Sequence, residues 1–136
     1  MSAVIRAGGG RPLTLPGRSA TELASAAEGG FGVTVRRVSI PPEDPRAPAR
    51  GPHRHDGCEE VILILAGTGE FVTAAGTTPV GPGDVVVVSP GEPHRTRNTG
   101  SADLVSLCFF GVPDLPRVTT ELPPEASEAP AGEADK

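Results

Sequence analysis

His53-Arg54-His55-Asp56-Gly57-Cys58-Glu59-Glu60 and Pro90-Gly91-Glu92-Pro93-His94-Arg95-Thr96-Arg97-Asn98 contain all three histidines of the chain. Two histidines at i and i+2 point the same way only on an extended strand, where side chains alternate between faces. The His53-x-His55 spacing therefore predicts a sheet with both imidazoles on one face. Glu60, five residues beyond His55, can return to that face after a turn through Asp56-Gly57-Cys58, and His94 adds a third imidazole. Imidazole and carboxylate together suit Fe, Zn, Mn, Ni or Cu better than Ca. Protein donors would lie about 2.0 to 2.2 Å from such an ion, with positions left for water or substrate. A lone His-x-His is as often a surface coincidence as a site; the rest of the spacing argues for a site.

The two segments closely resemble the two signature motifs of the cupins. The first family motif reads G(X)5HXH(X)3-4E(X)6G, and this chain has His53-x-His55, four residues, Glu60, six residues, Gly67. The second reads G(X)5PXG(X)2H(X)3N, and here Gly83 is followed by five residues, Ser89-Pro90-Gly91, two residues, His94, three residues and Asn98. Fifteen residues separate Gly67 from Gly83, a short segment like that of microbial cupins. Two positions depart from the pattern. Ala47 stands where the first motif opens with glycine, in a proline-rich stretch (Pro41 to Pro52) that reads as an enlarged loop. Ser89 stands at the proline position of the second motif, with Pro90 beside it. Neither departure removes a ligand. Glu59 competes with Glu60 as the carboxylate, and the spacing to Gly67 favours Glu60.

The resemblance implies an all-β fold, a small double-stranded β-helix or jelly-roll-like barrel. It also implies one divalent transition metal per chain held by His53, His55, Glu60 and His94, with Fe(II) favoured and Zn, Mn, Ni or Cu as alternatives.

The 136 residues suit one small domain and leave no room for an attached nucleic-acid-binding module. Eighteen glycines, 16 prolines and many valines fit short strands joined by tight turns. Twelve basic against 17 acidic residues give a formal charge of −5, which argues against nucleic acid or an anionic membrane as partner. No apolar run approaches a membrane span and the start of the chain does not resemble a signal peptide, so a cytoplasmic protein is expected. Cys58 and Cys108 are expected to be free thiols, with Cys58 a minor candidate for a soft metal.

Residues 1–18 read as a loose arm or edge-pairing segment, 19–115 as the barrel domain, and 116–136 as a disordered acidic tail rich in Pro, Ala, Glu and Ser. Ser19 to Ala27 carries both a capping-box pattern and strand alternation, and the resemblance to the cupins implies strand, which is preferred. Phe31 to Ile40 reads as a strand. Val61 to Leu65 is apolar on both faces, which predicts a central strand with one face toward the metal and the other covered by a second sheet or subunit. Ala75-Gly76 and Gly81-Pro82-Gly83-Asp84 read as turns, with strands at Val85 to Val88 and Leu104 to Phe110. From His94 to Asn98, His94, Thr96 and Asn98 share one face and Arg95 and Arg97 the other. A homodimer formed by sheet packing is expected.

With no tyrosine and no spare histidine, proton transfer falls to Glu60, Glu59, Asp56 or a metal-bound water. The leading expectation is a mononuclear, dioxygenase-like oxygenase acting on a small organic molecule, with Glu60 as ligand and proton shuttle. The alternatives are a non-catalytic small-molecule-binding cupin and a metal-dependent isomerase or cyclase. Ile62, Ile64, Val86, Val88 and Thr96 are nominated as pocket residues, with Thr34 or Arg36 as further candidates. An apolar pocket of that kind suggests a hydrophobic or aromatic substrate.

Overall fold

Alternation along Glu60–Ala66 sets the two faces of the fold. Glu60, Ile62 and Ile64 are buried, while Val61 and Leu63 are half-buried and Leu65 is exposed. In this computed structural model, which describes residues 2–124, that strand is the fifth of eleven. The strands are β1 (Arg11–Leu15), β2 (Arg18–Ala24), β3 (Thr34–Ile40), β4 (His53–His55), β5 (Glu60–Ala66) and β6 (Gly69–Thr73). They continue with β7 (Gly76–Val80), β8 (Val85–Val88), β9 (Arg95–Asn98), β10 (Leu104–Phe110) and β11 (Thr119–Glu121).

An antiparallel six-stranded sheet runs β1-β2-β3-β10-β5-β8. The second layer consists of β7-β6-β9 and the pair β11-β4. Between the layers, Ile62, Ile64, Leu104 and Phe110 of the large sheet pack with Val80 and Phe71 of the smaller one. Period-two alternation explains the selection: β10 buries Leu104, Ser106, Cys108 and Phe110 and turns Val105, Leu107 and Phe109 outward. Truncating Ile64 or Leu104, each 1% exposed, to alanine would cost about 2 to 5 kcal/mol. Gly67 ends β5 with φ +87°, and a Cβ there would lie 2.6 Å from Asp103 O, so this turn requires glycine.

The strand preferred over Ser19 to Ala27 forms from Arg18 to Ala24, burying Ala20, Glu22 and Ala24, while Ser25 makes an isolated bridge and Ala26 and Ala27 lie in a turn. The buried Glu22 carboxylate is held by Arg11 Nη2 at 2.8 Å, Arg36 Nε at 3.0 Å and Ser25 Oγ at 2.7 Å. Within the arm segment, Arg11–Leu15 pairs with β2 at the sheet edge. The turn read at Ala75-Gly76 falls one residue earlier, at Ala74-Ala75, since Thr73 pairs with Gly76. Both cysteines are free and buried.

The tail expected from residue 116 needs correction at its start. Leu115–Val118 forms a 3-10 turn and Thr119–Glu121 pairs with β4 in the register Thr119↔His55. Leu115 is buried in the core, and Leu122 N–H donates to Pro52 O at 2.9 Å. The polar composition hid one anchoring leucine and one threonine with an inward task. Residues 125–136, the remainder of the expected tail, lie outside the described residues. No helix among the described residues is long and apolar enough to cross a membrane.

Candidate metal centre

Strand β4 is held on both sides, and this positions the histidines. His53 N–H donates to His94 O at 3.0 Å and His94 N–H returns to His53 O at 2.9 Å, while β11 pairs along the opposite edge. His53 and His55 project inward from β4, His94 enters from the segment leading into β9, and Glu60 comes from the first position of β5. One donor atom from each of the four lies within 4.8 Å of all the others, and all four residues are buried. Glu59, the competing carboxylate, is exposed, as is Asp56. Cys58 is buried outside this group.

Hydrogen bonds to the outer ring nitrogens fix what two imidazoles present inward. His94 Nδ1 lies 2.9 Å from the carbonyl of Glu92, which can only accept, so Nδ1 carries the proton. His55 Nδ1 lies 2.9 Å from Thr119 Oγ1, and that hydroxyl donates its own proton to Leu115 O at 2.8 Å, so Nδ1 is again the donor. In the neutral rings both Nε2 atoms then carry lone pairs. They face the same oxygen, Glu60 Oε1, at 3.0 Å from His94 and 3.3 Å from His55. The His55 approach forms no hydrogen bond, and His53 Nδ1 is buried without a partner. Lone pairs converging on a carboxylate repel unless a cation lies among them or a ring is protonated. This donor set fits a divalent transition ion, with the outer-ring bonds acting as its supporting shell.

Electrostatics point the same way. Burial alone would raise the Glu60 carboxyl, but the ring nitrogens of His55 and His94 facing it outweigh burial wherever a cation stands between them and the carboxylate, and hold the group far below the usual carboxylate range. Burial, then the neighbouring His94, pushes His53 well below the usual imidazole value, which favours the neutral ligand form. Cys108 is pushed well above the usual thiol value by burial and by Glu60, so it stays a neutral thiol beside the site.

Around these donors lies a cavity of about 50 Å³, room for a few water-sized groups. Of the nominated pocket residues, Ile62 and Thr96 line it, as does Arg36. Ile64 and Val88 do not: they are 1% and 2% exposed and fill the core away from the cavity. Val86 packs against that core, and Thr34 donates to Val112 O at 2.7 Å. Leu15, Val38, Ile40, Ile62, Phe110 and Leu115 make much of the wall apolar, and Arg18, Arg36 and Arg50 add cationic groups to it, of which the sequence nominates Arg36 alone. Arg36 is committed to Glu22, and Arg18 to Pro16 O at 2.8 Å and Glu121 at 3.2 Å. Arg50 has no carboxylate within ion-pair distance among the described residues. Burial and then Arg18 lower its pKa to about 10, which leaves it charged at neutral pH.

Sequence reasoning missed Arg18, Arg50, Ser106 and Cys108. The last two carry a signal, since they alternate with Leu104 and Phe110 on the inward face of β10. Arg18 opens β2 in phase with Ala20, Glu22 and Ala24, so alternation could have placed it inward; Arg50 comes from a loop without periodicity and carries no signal.

Residues 36–110, more than half of the chain, match the family described as Cupin domain. The chain belongs to the cupins. Among relatives of this cupin, the oxalate-binding protein of Thermotoga maritima is 37% identical over 74 residues, covering 54% of this chain and 58% of that protein. A solved structure of a predicted oxalate decarboxylase from Thermotoga maritima superposes with a TM-score of 0.66 at 26% identity, covering 81% of this chain and 99% of that one. A sugar phosphate isomerase of the cupin superfamily from Silicibacter pomeroyi superposes with a TM-score of 0.57 at 26% identity, covering 70% of this chain and 59% of that one. The chain thus spans under two thirds of the length of two of these relatives.

Proposed function

We propose that this cupin binds a divalent transition metal through His53, His55, Glu60 and His94 and acts there on a small anion, first of all a carboxylate. The observation that carries this reading is the unpaired Arg50 guanidinium on the wall of a cavity that also holds the four-donor cluster. A cation left without a carboxylate in a partly desolvated wall is costly unless a ligand completes it, and guanidinium matches a carboxylate fork. The small volume and the one unpaired arginine favour a compact anion over the hydrophobic or aromatic substrate expected from sequence. Relatives described by oxalate and by a sugar phosphate agree in being named for anionic ligands.

Oxygen-dependent oxidation of that anion, with Fe(II), is the chemistry to test first. A bound ion would polarise a substrate oxygen or activate O2. The chain's own contribution is narrower. Arg50 orients the anion, and Glu60 is the one carboxylate among the described residues that lines the cavity, so a substrate proton would pass to or from its oxygens or through water. Ile62, Phe110 and Leu115 keep the remaining wall dry. The second reading is binding without turnover, which the oxalate-binding relative favours. Elemental analysis of untagged protein paired with an oxygen electrode over small carboxylates separates the two. Iron with substrate-dependent oxygen uptake supports oxygenation. Oxalate binding with neither oxygen uptake nor any product supports the binding reading, and failure to bind any small anion overturns both.

A homodimer and a cytoplasmic location belong to the same reading. Cross-strand rows Phe109–Val61–Val87 and Leu107–Leu63–Val85 form an apolar outer face, with Val85 and Val87 58% and 59% exposed. Light scattering should give a dimer that Val85→Lys with Val87→Lys dissociates; a wild-type monomer contradicts it.

A further inference from the structure

The proline-rich segment between β3 and β4 roofs a second cavity of about 640 Å³, more than ten times the volume around the four donors. Ile40, Arg50 and Thr96 line both, so these residues form the wall that the two spaces share. Prolines 41, 42, 45 and 48 restrict the backbone of this exposed wall, and Ala47 N–H donates to Asp44 O at 3.0 Å.

Three arginines and two carboxylates line this space, but they do not cancel evenly. Arg97 grips Glu43 at 3.0 and 3.2 Å, and Asp44 holds Arg46 at 3.2 Å. Arg50 and Arg95 are left, and neither has a carboxylate within ion-pair distance among the described residues. Both Nε atoms are buried without a hydrogen-bond partner, and the one bond recorded from the Arg95 guanidinium goes to the backbone, Arg50 O at 3.1 Å. Glu60 and Glu121 act on Arg50 and Glu43 on Arg95 from beyond ion-pair distance, so two guanidiniums with buried, unpartnered Nε atoms line one roomy cavity, an arrangement that an oxyanion would complete.

We propose that this cavity is a second oxyanion subsite centred on Arg95, with Arg50 in the wall between it and the four-donor centre. It takes the distal carboxylate or phosphate of a two-headed substrate whose other end reaches the four-donor centre past Thr96. The proposal rests on the reading of that centre as an anion-binding metal site and adds the substrate class: an anion longer than oxalate, charged at both ends. Arg95 is then a specificity residue, since it lines the outer cavity and not the inner one.

Isothermal titration with three probes tests this: oxalate, inorganic phosphate and 2-phosphoglycolate, which joins a phosphate to a carboxylate. On zinc-loaded wild-type protein, phosphoglycolate should bind more tightly than either oxalate or phosphate. Arg95→Gln should weaken phosphoglycolate roughly tenfold or more while changing oxalate affinity and zinc affinity less than about twofold. His94→Ala should lose zinc yet keep phosphate binding at the outer cavity. Unchanged phosphoglycolate affinity in Arg95→Gln overturns the proposal. So does phosphoglycolate binding no better than phosphate, which would make the cavity a site for free phosphate. Zinc and oxalate failing to bind while Arg95→Gln still abolishes phosphate binding would sink the metal-centre reading and leave the subsite standing.

Discussion

Thr119 accepts a hydrogen bond from His55 Nδ1 at 2.9 Å and donates its own proton to Leu115 O at 2.8 Å. A residue 64 positions further along the chain thereby decides which nitrogen of His55 faces Glu60. Thr119→Val keeps the shape of the side chain and removes the acceptor. Metal affinity is expected to fall about ten- to a hundredfold, with Thr119→Ser restoring most of it. Equal affinity in Thr119→Val would show that the tautomer is set elsewhere.

Glu60 and Glu59 are neighbours in sequence with opposite surroundings, one 5% exposed among three imidazoles and the other on the surface. Glu60→Gln should lower both metal affinity and activity by about two orders of magnitude, and Glu59→Gln by less than about twofold. The reverse order would assign the wrong carboxylate to the site.

Asn98 binds three backbone groups at once. Its Nδ2 donates to Ile40 O and Ala102 O, each at 2.8 Å, and its Oδ1 accepts from Gly100 N–H at 2.8 Å. Asn98→Ala should destabilise the protein by about 2 to 4 kcal/mol without changing metal stoichiometry, as read by thermal unfolding and elemental analysis. A loss of metal with unchanged stability would instead place Asn98 in the site.

Metal-free protein should lose stability on acidification in two steps. The folded His53 sits well below its ordinary 6.5, so the unfolded chain takes up a proton that the folded one refuses, and stability present above 6.5 declines as pH falls below it. Glu60, lowered from its ordinary 4.5, contributes stability present above 4.5 that is lost as pH falls further toward its lowered value. Melting temperature against pH should show the first decline, and His53→Asn should remove it. A melting temperature constant from about pH 7.5 to 5.5 would contradict the buried neutral imidazole.

The motif spacing makes the cluster legible in the sequence, because His-x-His demands a strand and a strand fixes which side chains share a face. The same alternation tells Thr96 and Asn98 from Arg95 and Arg97, but over Ser19 to Ala27 it is ambiguous, and the cupin resemblance tips that segment to strand. Alternation fails where position depends on tertiary closure. Ile64 and Val88 share the inward face with Ile62, yet they lie beyond the cavity and fill core instead. Arg50 sits in a loop, and Thr119 lies in a segment whose composition resembles its acidic continuation. Nothing in the local pattern shows that the first faces the four donors or that the second pairs with His55.

Cobalt substitution tests the metal-and-anion reading most directly. Untagged protein titrated with Co(II) should bind one ion per chain with a visible spectrum that shifts on adding oxalate, and His94→Ala should show neither. Wild-type protein that takes up no cobalt, or whose cobalt spectrum ignores oxalate and other small carboxylates, would contradict it.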